Sequence, residues 1–473
     1  MRNIKLLLSA LVIVILALSL SACNEEKDGK DLKTGLKPTE IKNEAFKDLF
    51  PLQYASYMKG MEMGDTKYAG SEPRSKFSND KEPLLPILFN GYGFALDYNE
   101  DRGHTYAMVD IQRTLRVTDK TAGGCLSCKS TAVPQLIDEM GADYWKAGSF
   151  KSEVMPKAEA MGHSSIGCSD CHNPVNMDLR VTRPMFIDAM KERGVDLAHA
   201  TKNEMRSYVC AQCHSEYFFK AETNVVTFPW KNGVKAEDIY KYYEDEKGKG
   251  FKQDYISNIS GTPIIKAQHP DYETYSEGTH AKAGVSCSDC HMQYERTDNR
   301  KKISSHQWTS PLKTMNTSCG TCHSSRDLKD LENQVLDIQK TYKEGLDHAE
   351  LLSTEAHYYV NKMITSGVDA SKIAEAQEQI RLGQWLWDFC AAENSTGSHN
   401  PQGSMDNLMK SSNASNKAIQ IATEELVKKG VTISELKAEI EKAKSAVISE
   451  KDTTKKKGFA INSYFPGQQP VAK

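Results

Sequence analysis

The chain has 473 residues, enough for one large domain or two of ordinary size. With 39% hydrophobic and 26% charged residues, its composition excludes a disordered chain and a polytopic membrane protein. Sixty basic residues against 63 acidic ones give a formal charge of -3, which excludes nucleic-acid binding driven by bulk charge.

Residues 1–22 have the pattern of a secretory signal, with two basic residues ahead of an apolar run at residues 6–20. This run is shorter than the roughly 20 residues that a transmembrane helix needs. Leu-Ser-Ala-Cys at residues 20–23 resembles the bacterial lipobox, in which the cysteine is lipidated; an ordinary cleaved leader is the alternative. Residues 23–40 are then a tether. We therefore expect an exported, periplasmic protein that a lipid on Cys23 holds at the membrane.

Twelve cysteines are unusual for a cytosolic enzyme, and ten of them fall into five C-x-x-C pairs. The pairs are Cys125/Cys128, Cys168/Cys171, Cys210/Cys213, Cys287/Cys290 and Cys319/Cys322. Histidine follows four of these pairs directly, at His172, His214, His291 and His323. C-x-x-C-H is the attachment site of c-type haem, because two thiols on one turn can bond the porphyrin while the adjacent imidazole reaches the iron. Zinc knuckles and thioredoxin-like redox pairs are the alternatives, but neither explains the appended histidine.

The first pair departs from this pattern, because Lys129 stands where the other motifs have histidine. An amine binds iron only when deprotonated, and an ordinary lysine has a pKa of about 10.4, so metal and burial must favour the neutral form. Such a ligand is a σ-donor without a π-acceptor system, which changes the electronic properties of the position opposite it. The alternative is a degenerate motif without haem. The 13 histidines suffice for distal ligands at four haems, whereas a catalytic haem keeps its sixth position open.

One C-x-x-C-K motif followed by four C-x-x-C-H motifs resembles the pentahaem cytochrome c nitrite reductases, which reduce nitrite to ammonium at a lysine-ligated haem. The resemblance covers roughly residues 45–405. It implies a mainly α fold, in which a compact multihaem c-type cytochrome domain precedes long C-terminal helices. It also implies five covalent c-type haems, one calcium ion and nitrite as the substrate. A pure electron-transfer cytochrome, and a reductase of hydroxylamine or sulfite at the same open haem, are the alternatives.

The resemblance also assigns the site residues, through smaller motifs that occur in order. Residues 102–116 are similar to a family segment that supplies a distal haem ligand and then the arginine that binds nitrite. Residues 216–217 and 266–269 are similar to segments that supply calcium ligands and pocket residues. The implied catalytic residues are Lys129, Arg116, Tyr217 and His269, and the implied calcium ligands are Glu216, the carbonyls of Tyr217 and Lys266, and Gln268. The implied distal ligands are His104 for the haem at Cys210/Cys213, His280 for Cys319/Cys322, His306 for Cys168/Cys171 and His399 for Cys287/Cys290.

The periodicity changes near residue 326, which predicts a catalytic domain at 41–325, a long-helix region at 326–455 and a tail at 456–473. Apolar residues at helical spacing predict a helix that ends near Gly367, then helices through residues 373–389 and about 405–429. The sequence Thr-Ile-Ser-Glu from Thr432 is typical of a capping box at the start of a fourth helix.

The resemblance implies partners for the chain. The long helices would pack two subunits into a homodimer, although an intramolecular core is the more general use of such apolar stripes. The electron donor would be a membrane-anchored multihaem quinol dehydrogenase. We expect no nucleotide, flavin, molybdenum or nucleic-acid partner, and we expect the remaining Cys390 to be a buried, inert thiol.

Overall fold

The computed structural model describes residues 32–448, except 69, 71–74, 78–80, 101, 163–164, 248–249 and 297–301. The predicted signal at 1–22, the lipidation of Cys23, the first part of the tether and the tail at 456–473 lie outside the described residues. Within the described ranges, no helix combines the length and apolar content that a membrane span requires.

Helices dominate the chain, and those before residue 325 are short. The α-helices of this part are α1 (Pro51–Met58), α2 (Leu85–Leu88), α3 (Ala107–Arg113), α4 (Val133–Met140), α5 (Met155–Ala160), α6 (Cys168–Cys171), α7 (Pro184–Glu192), α8 (Lys202–Ala211), α9 (Ala236–Glu246), α10 (Asp271–Ser276), α11 (Thr279–Lys282), α12 (Cys287–His291) and α13 (Cys319–Cys322). The strands form two-stranded antiparallel ribbons: β1 (Phe218–Phe219) with β2 (Val226–Thr227), β3 (Tyr255–Ile256) with β4 (Pro263–Ile264), and β5 (Tyr294–Arg296) with β6 (Lys302–Ser304).

Four longer helices follow: α14 (Leu328–Thr365), α15 (Ala370–Ala391), α16 (Pro401–Lys428) and α17 (Ile433–Ile448). Polar caps define where the first three begin, because a side-chain oxygen accepts from backbone N–H groups that the helix leaves unpaired. Asp327, Asp369 and Asn400 serve in this way. The helices that the periodicity predicted are therefore present, with ends displaced by a few residues, and the expected mainly α fold class is confirmed.

Two clusters of buried side chains organise the molecule. The first surrounds the C-x-x-C turns and is rich in aromatic residues, including Trp230 and Tyr243. The second lies between α14, α15 and α16, and reaches back to α2 through Leu85 and Leu88. Cys390 belongs to this second cluster with 3% of its surface exposed, as expected for a structural thiol. Helix α15 contributes to both clusters and so joins the long helices to the part of the chain that carries the motifs.

Candidate functional site

The five C-x-x-C motifs surround one continuous cavity of about 1630 Å³. Each motif contributes at least one residue to its wall. A pocket for a single ligand usually holds about 300–1,000 Å³, so this cavity has room for more than one cofactor. The eleven cysteines in the described part of the chain are all free thiols, and those of the motifs are therefore available for thioether bonds.

The local sequence explains why the motif cysteines lie on tight turns. In the second motif, the Asp170 carboxylate accepts a hydrogen bond from the backbone N–H of Gly167 at 2.8 Å. In the fourth motif, the Asp289 carboxylate accepts from the backbone N–H of Ser286 at 2.7 Å. This capping fixes the first turn of α6 and α12. The third motif ends helix α8, which begins with a capping box between Thr201 and Glu204.

A buried arginine joins the first two motifs. The guanidinium of Arg183 donates to the Ser127 carbonyl, inside the first motif, at 2.6 Å, and to Asp170, inside the second motif, at 2.6 Å. The Arg183 side chain has no exposed surface, so these contacts are shielded from water. The relative position of the first two motifs is therefore set by protein contacts.

The structure pairs every C-x-x-C-H histidine with one of the histidines assigned as distal ligands. The ring centres of a pair are 6.0 or 6.3 Å apart, and the planes of the two rings are inclined to each other by 36 to 86°. The pairs are His104 with His214 at 6.0 Å, His172 with His306 at 6.3 Å, His280 with His323 at 6.3 Å, and His291 with His399 at 6.3 Å.

This spacing fits an iron between the two rings. An imidazole nitrogen binds a first-row metal at about 2.0–2.1 Å, so two imidazoles on opposite sides of one metal ion have ring centres roughly 6 Å apart. A direct hydrogen bond between two rings would bring them closer than this. The cavity, the free thiols and the four histidine pairs therefore fit covalent haem.

Contacts between thiols give the order of the motifs in space. The Cys128 thiol contacts Cys213, and the Cys210 thiol contacts Cys287. Cys213 also lies close enough to act electrostatically on Cys171, and Cys319 acts in the same way on Cys290. The third motif is therefore a junction: it touches the first and fourth motifs, and it neighbours the second.

Three of the assigned catalytic residues gather around the first motif. The charges of Arg116 and Lys129 both act on the Cys125 thiol, where they oppose the burial that raises its pKa to about 11. Burial also raises the pKa of Tyr217 well above its usual value, and Cys128 and Cys125 add to this effect. The guanidinium of Arg116 lies 4.0 Å from the centre of the Phe94 ring, and its Nε atom donates to Thr114 at 3.2 Å. Arg116, Lys129 and Tyr217 therefore all lie close to the cysteines of the first motif.

His269 lies next to the third motif. Its ring centre is 4.5 Å from that of His214. Asp271 is within 3.0 Å of a ring nitrogen of each histidine. Burial would raise the pKa of Asp271, but the charges and hydrogen bonds of His269 and His214 outweigh it and hold this pKa well below its usual value. Asp271 therefore links an assigned iron ligand to an assigned pocket residue.

The assigned calcium ligands also come together. One oxygen of the Glu216 carboxylate accepts from the Gln268 backbone N–H at 2.5 Å, and the other accepts from the Tyr243 hydroxyl at 2.8 Å. The Gln268 side-chain amide lies 3.1 Å from the Lys266 carbonyl. A carboxylate, an amide and backbone carbonyls are the hard oxygen ligands that calcium prefers.

The charges around Glu216 also fit a bound cation. Glu216 and Glu273 are 0% and 1% exposed, and their hydrogen-bond donors are neutral groups: backbone N–H, the Tyr243 hydroxyl and the Trp230 indole. Burial raises the pKa of Glu216, and it raises the pKa of Glu273 to about 8. One oxygen of Glu273 is buried without a hydrogen-bond partner. Buried carboxylates in such surroundings favour either a proton or a metal cation.

Sequence reasoning missed several residues of this site. Asp271 follows His269 by two positions, so its place beside the pocket could have been inferred from proximity in the chain. Glu273, Tyr243 and Arg183 had no such signal, because acidic, aromatic and basic residues are common and no motif surrounds them. Asp388 is 122 positions from Lys266, its partner in the fold, and only the structure brings the two together.

Known proteins resemble the chain over most of its length. A family model described as cytochrome c552 matches residues 42–468. The cytochrome c nitrite reductase subunit NrfA of Nitratidesulfovibrio vulgaris is 39% identical over 455 residues, which cover 88% of this chain and 86% of that protein. A cytochrome c-552 of Bacteroides thetaiotaomicron is 37% identical over 417 residues, or 83% and 80% of the two chains. The structure of cytochrome c nitrite reductase from Desulfovibrio desulfuricans, which has two calcium sites in its catalytic subunit, matches with a TM-score of 0.78 at 37% identity and covers 85% of this chain and 91% of that one.

Proposed function

The chain belongs to the cytochrome c552 family, and from this premise we propose that it is an ammonia-forming cytochrome c nitrite reductase. One observation carries the proposal. Four C-x-x-C-H histidines each have a second histidine at 6.0 or 6.3 Å between ring centres, whereas the first motif has Lys129 and gathers Arg116 and Tyr217 around it. Four closed sites beside one differently built site are what a catalytic centre with its own electron supply requires.

The reaction needs six electrons, because nitrogen goes from +3 in nitrite to -3 in ammonium. When bound, the haems supply an iron that takes nitrite and carriers that deliver single electrons. The protein's part is to hold these groups in sequence. The third motif touches the first and fourth and neighbours the second, and the fourth neighbours the fifth, so haems held by these motifs would form a branched series that includes the first motif.

The residues around the first motif have distinct roles. Lys129 would be the protein ligand that holds the catalytic iron. Arg116 carries a positive charge that attracts nitrite and stabilises negative charge as an N–O bond breaks. Its guanidinium is held by Thr114 and lies against Phe94, which limits its motion.

Proton delivery belongs to His269 and Tyr217. The Asp271 carboxylate lies 3.0 Å from Nε2 of His269 and orients the imidazole. Tyr217 keeps its proton, because burial raises the pKa of its hydroxyl, and it acts as a hydrogen-bond donor to bound intermediates.

A calcium ion bound by Glu216, Gln268 and the carbonyls of Tyr217 and Lys266 would supply fixed positive charge beside the pocket. Its ligands are the direct neighbours of the two pocket residues: Tyr217 follows Glu216, and His269 follows Gln268. One ion would therefore hold both segments in register and keep the two pocket residues in place.

The remaining proposals concern the surroundings of the enzyme. The long-helix region forms a homodimer interface. The electron donor is a membrane-anchored multihaem quinol dehydrogenase, and a lipid on Cys23 keeps the exported enzyme at the same membrane. These proposals depend on the resemblance and on the sequence of residues 1–23.

The test is the stoichiometry of nitrite reduction by the purified, haem-loaded protein with an artificial low-potential reductant. We expect one ammonium and six electrons per nitrite consumed. A protein that carries five haems by mass but consumes no nitrite would contradict the proposal and indicate an electron-transfer cytochrome. Ammonium formed only from hydroxylamine would assign the open site to a different substrate.

A further inference from the structure

We propose that Asp388, on the long helix α15, is a positioning residue for the segment Lys266–His269. Its contacts with this segment hold the calcium ligands and His269 in place. The inference rests on the proposed function and deepens it. It gives the long-helix region a role at the active site that is separate from any subunit contact.

Both oxygens of the Asp388 carboxylate are used. One accepts from the ammonium group of Lys266 at 2.9 Å, and the other accepts from the backbone N–H of Ala267, also at 2.9 Å. The side chains of Lys266 and Asp388 are 0% and 1% exposed. A single carboxylate thus binds a side chain and the adjacent backbone in surroundings that exclude water, where charge-assisted hydrogen bonds are strongest.

Asp388 is part of a larger arrangement along this segment. Three successive backbone N–H groups each donate to a different carboxylate, and the three carboxylates come from separate parts of the chain. The contacts are Lys266 N to Asp254 at 2.8 Å, Ala267 N to Asp388 at 2.9 Å, and Gln268 N to Glu216 at 2.5 Å. Three carboxylates on consecutive amides leave the backbone little freedom before it reaches His269.

Asp388 forms the direct ion pair with Lys266, whose ammonium group also donates to the Ala267 carbonyl, while Asp254 and Glu216 act on it from farther away. The ammonium group lies 5.0–5.3 Å from the ring centres of Phe89, Phe94 and Tyr98. These faces attract a cation but cannot neutralise it. A buried charge that loses its counter-ion is strongly unfavourable, so Lys266 would have to move if Asp388 were neutral.

Movement of Lys266 would reach the pocket along two routes. The first is the backbone, because the Lys266 carbonyl lies 3.1 Å from the Gln268 amide and both are assigned calcium ligands. The second is the Phe94 ring, which has Lys266 at 5.0 Å and Arg116 at 4.0 Å. Loss of the Asp388 charge is therefore expected to weaken calcium binding and to affect nitrite binding.

The experiment uses the full-length, haem-loaded enzyme and its Asp388→Asn variant. Calcium affinity is measured by titration with Ca²⁺ after chelation, and nitrite kinetics are measured at low and saturating calcium. We expect five haems by mass, calcium affinity lowered at least tenfold, and nitrite kinetics that recover in part when calcium is raised. Calcium affinity within twofold of the wild type in a haem-loaded variant would overturn the proposal.

A matched control separates positioning from general loss of stability. Glu355→Gln weakens another ion pair, between α14 and α17: Lys444 contacts Glu355 at 2.9 Å, with 6% and 25% of the two side chains exposed, and keeps Glu441 at 2.6 Å as a second partner. We expect this control to lose thermal stability and to keep its calcium affinity. If it loses calcium affinity as strongly as Asp388→Asn, the effect is general and the proposal fails.

A milder variant keeps the test decisive if Asp388→Asn does not load haem. Asp388→Glu retains the charge but moves it by one methylene, so we expect calcium affinity between those of the wild type and a neutral variant; wild-type affinity would overturn the proposal. The proposed function and the role of Asp388 are tested by different measurements. The ammonium yield of the wild type tests the proposed function, whereas the ratio of calcium affinities tests Asp388.

Discussion

Histidines serve different purposes in the motif-bearing region and among the long helices. Around the cavity, eight histidines form four pairs whose ring centres are 6.0 or 6.3 Å apart. Between α14 and α15, the fully buried His357 has both ring nitrogens in ordinary hydrogen bonds, to the Ser260 hydroxyl at 2.7 Å and to the Gln384 amide at 2.7 Å. Hydrogen-bond partners on both ring nitrogens indicate a structural histidine, whereas two ring centres about 6 Å apart leave room for a metal ion between them.

The same comparison isolates the first motif. Its neighbour Lys129 takes the place of the histidine, and the groups around it are a guanidinium and a phenol instead of a second imidazole. The four histidine pairs therefore indicate closed sites. The first motif, which has a guanidinium and a phenol in place of a second imidazole, indicates the site that binds substrate. The variants below change the ligand of the first motif, remove a pocket charge or open a second site, and one of them tests the structural histidine.

Lys129→His should have the largest effect, because it turns the first motif into a fifth C-x-x-C-H site. We expect the kcat for nitrite to change by roughly 10–100-fold, the range typical of altered metal coordination. Haem content by mass should stay at five, which separates the catalytic effect from a loading defect. Unchanged nitrite kinetics in this variant would remove Lys129 from the mechanism.

Arg116→Ala should have an effect of similar size, seen in the KM for nitrite. A hydrogen bond to a charged group contributes about 1.5–3 kcal/mol, so losing the guanidinium should raise the KM for nitrite roughly ten- to a hundredfold. Steady-state kinetics over a wide range of nitrite concentration would show it. Arg113→Ala, which removes the same charge at the end of α3, is the control, and an equal rise in KM there would mean that bulk charge attracts nitrite.

His280→Ala should have a smaller effect on turnover but a clear spectroscopic one. It removes the partner that lies 6.3 Å from His323 and so opens a second iron. We expect two haems per chain to bind cyanide instead of one, with a smaller loss of nitrite turnover than in the first two variants. If cyanide binding stays at one haem, His280 is not the distal ligand of the fifth motif.

His357→Gln tests the structural histidine through pH. Burial lowers the pKa of His357 to about 4, against about 6.5 for an exposed histidine. Between these pH values the histidine is protonated in the unfolded chain but neutral in the folded chain. The free energy of unfolding therefore falls by up to roughly 3 kcal/mol as the pH drops from about 6.5 to 4. Denaturant unfolding at pH 7 and pH 4.5 should show a smaller loss in this variant than in the wild type.

The exposed His348, on the same helix, provides the control for that measurement. We expect His348→Gln to keep the wild-type dependence of stability on pH. A His357→Gln protein with the same dependence as the wild type would mean that other groups cause the loss of stability in acid.

Much of the site could be predicted because covalent haem requires a short local motif. Within each motif, the two cysteines and the lysine or histidine that follows them lie within five residues. Spacing alone therefore indicates all five motifs. The four long helices were equally accessible, since their apolar periodicity and polar caps are local signals. Their ends differ from the predicted ones because caps such as Asp369 and Asn400 decide where a helix begins.

The rest of the site could not be predicted from local patterns, because it consists of contacts between distant segments. Asp388 and Lys266, or Arg183 and Asp170, are common residue types, and their importance lies in being buried together. The weak periodicity before residue 325 likewise gave no sign of the aromatic core around Trp230 and Tyr243, because that core is assembled from many short elements. The assignment of distal ligands needed the family resemblance, since thirteen histidines allow many pairings.

The most direct test of the central claim is a count of the haems that bind an external ligand in the oxidised, haem-loaded enzyme. Titration with cyanide or nitrite, followed by optical and electron paramagnetic resonance spectroscopy, gives that count. We predict one ligand-binding haem among five, and a changed spectrum of its cyanide complex in the Lys129→His variant would place it at the first motif. A count of zero would make the protein an electron carrier, and a count above one would contradict the four closed histidine pairs.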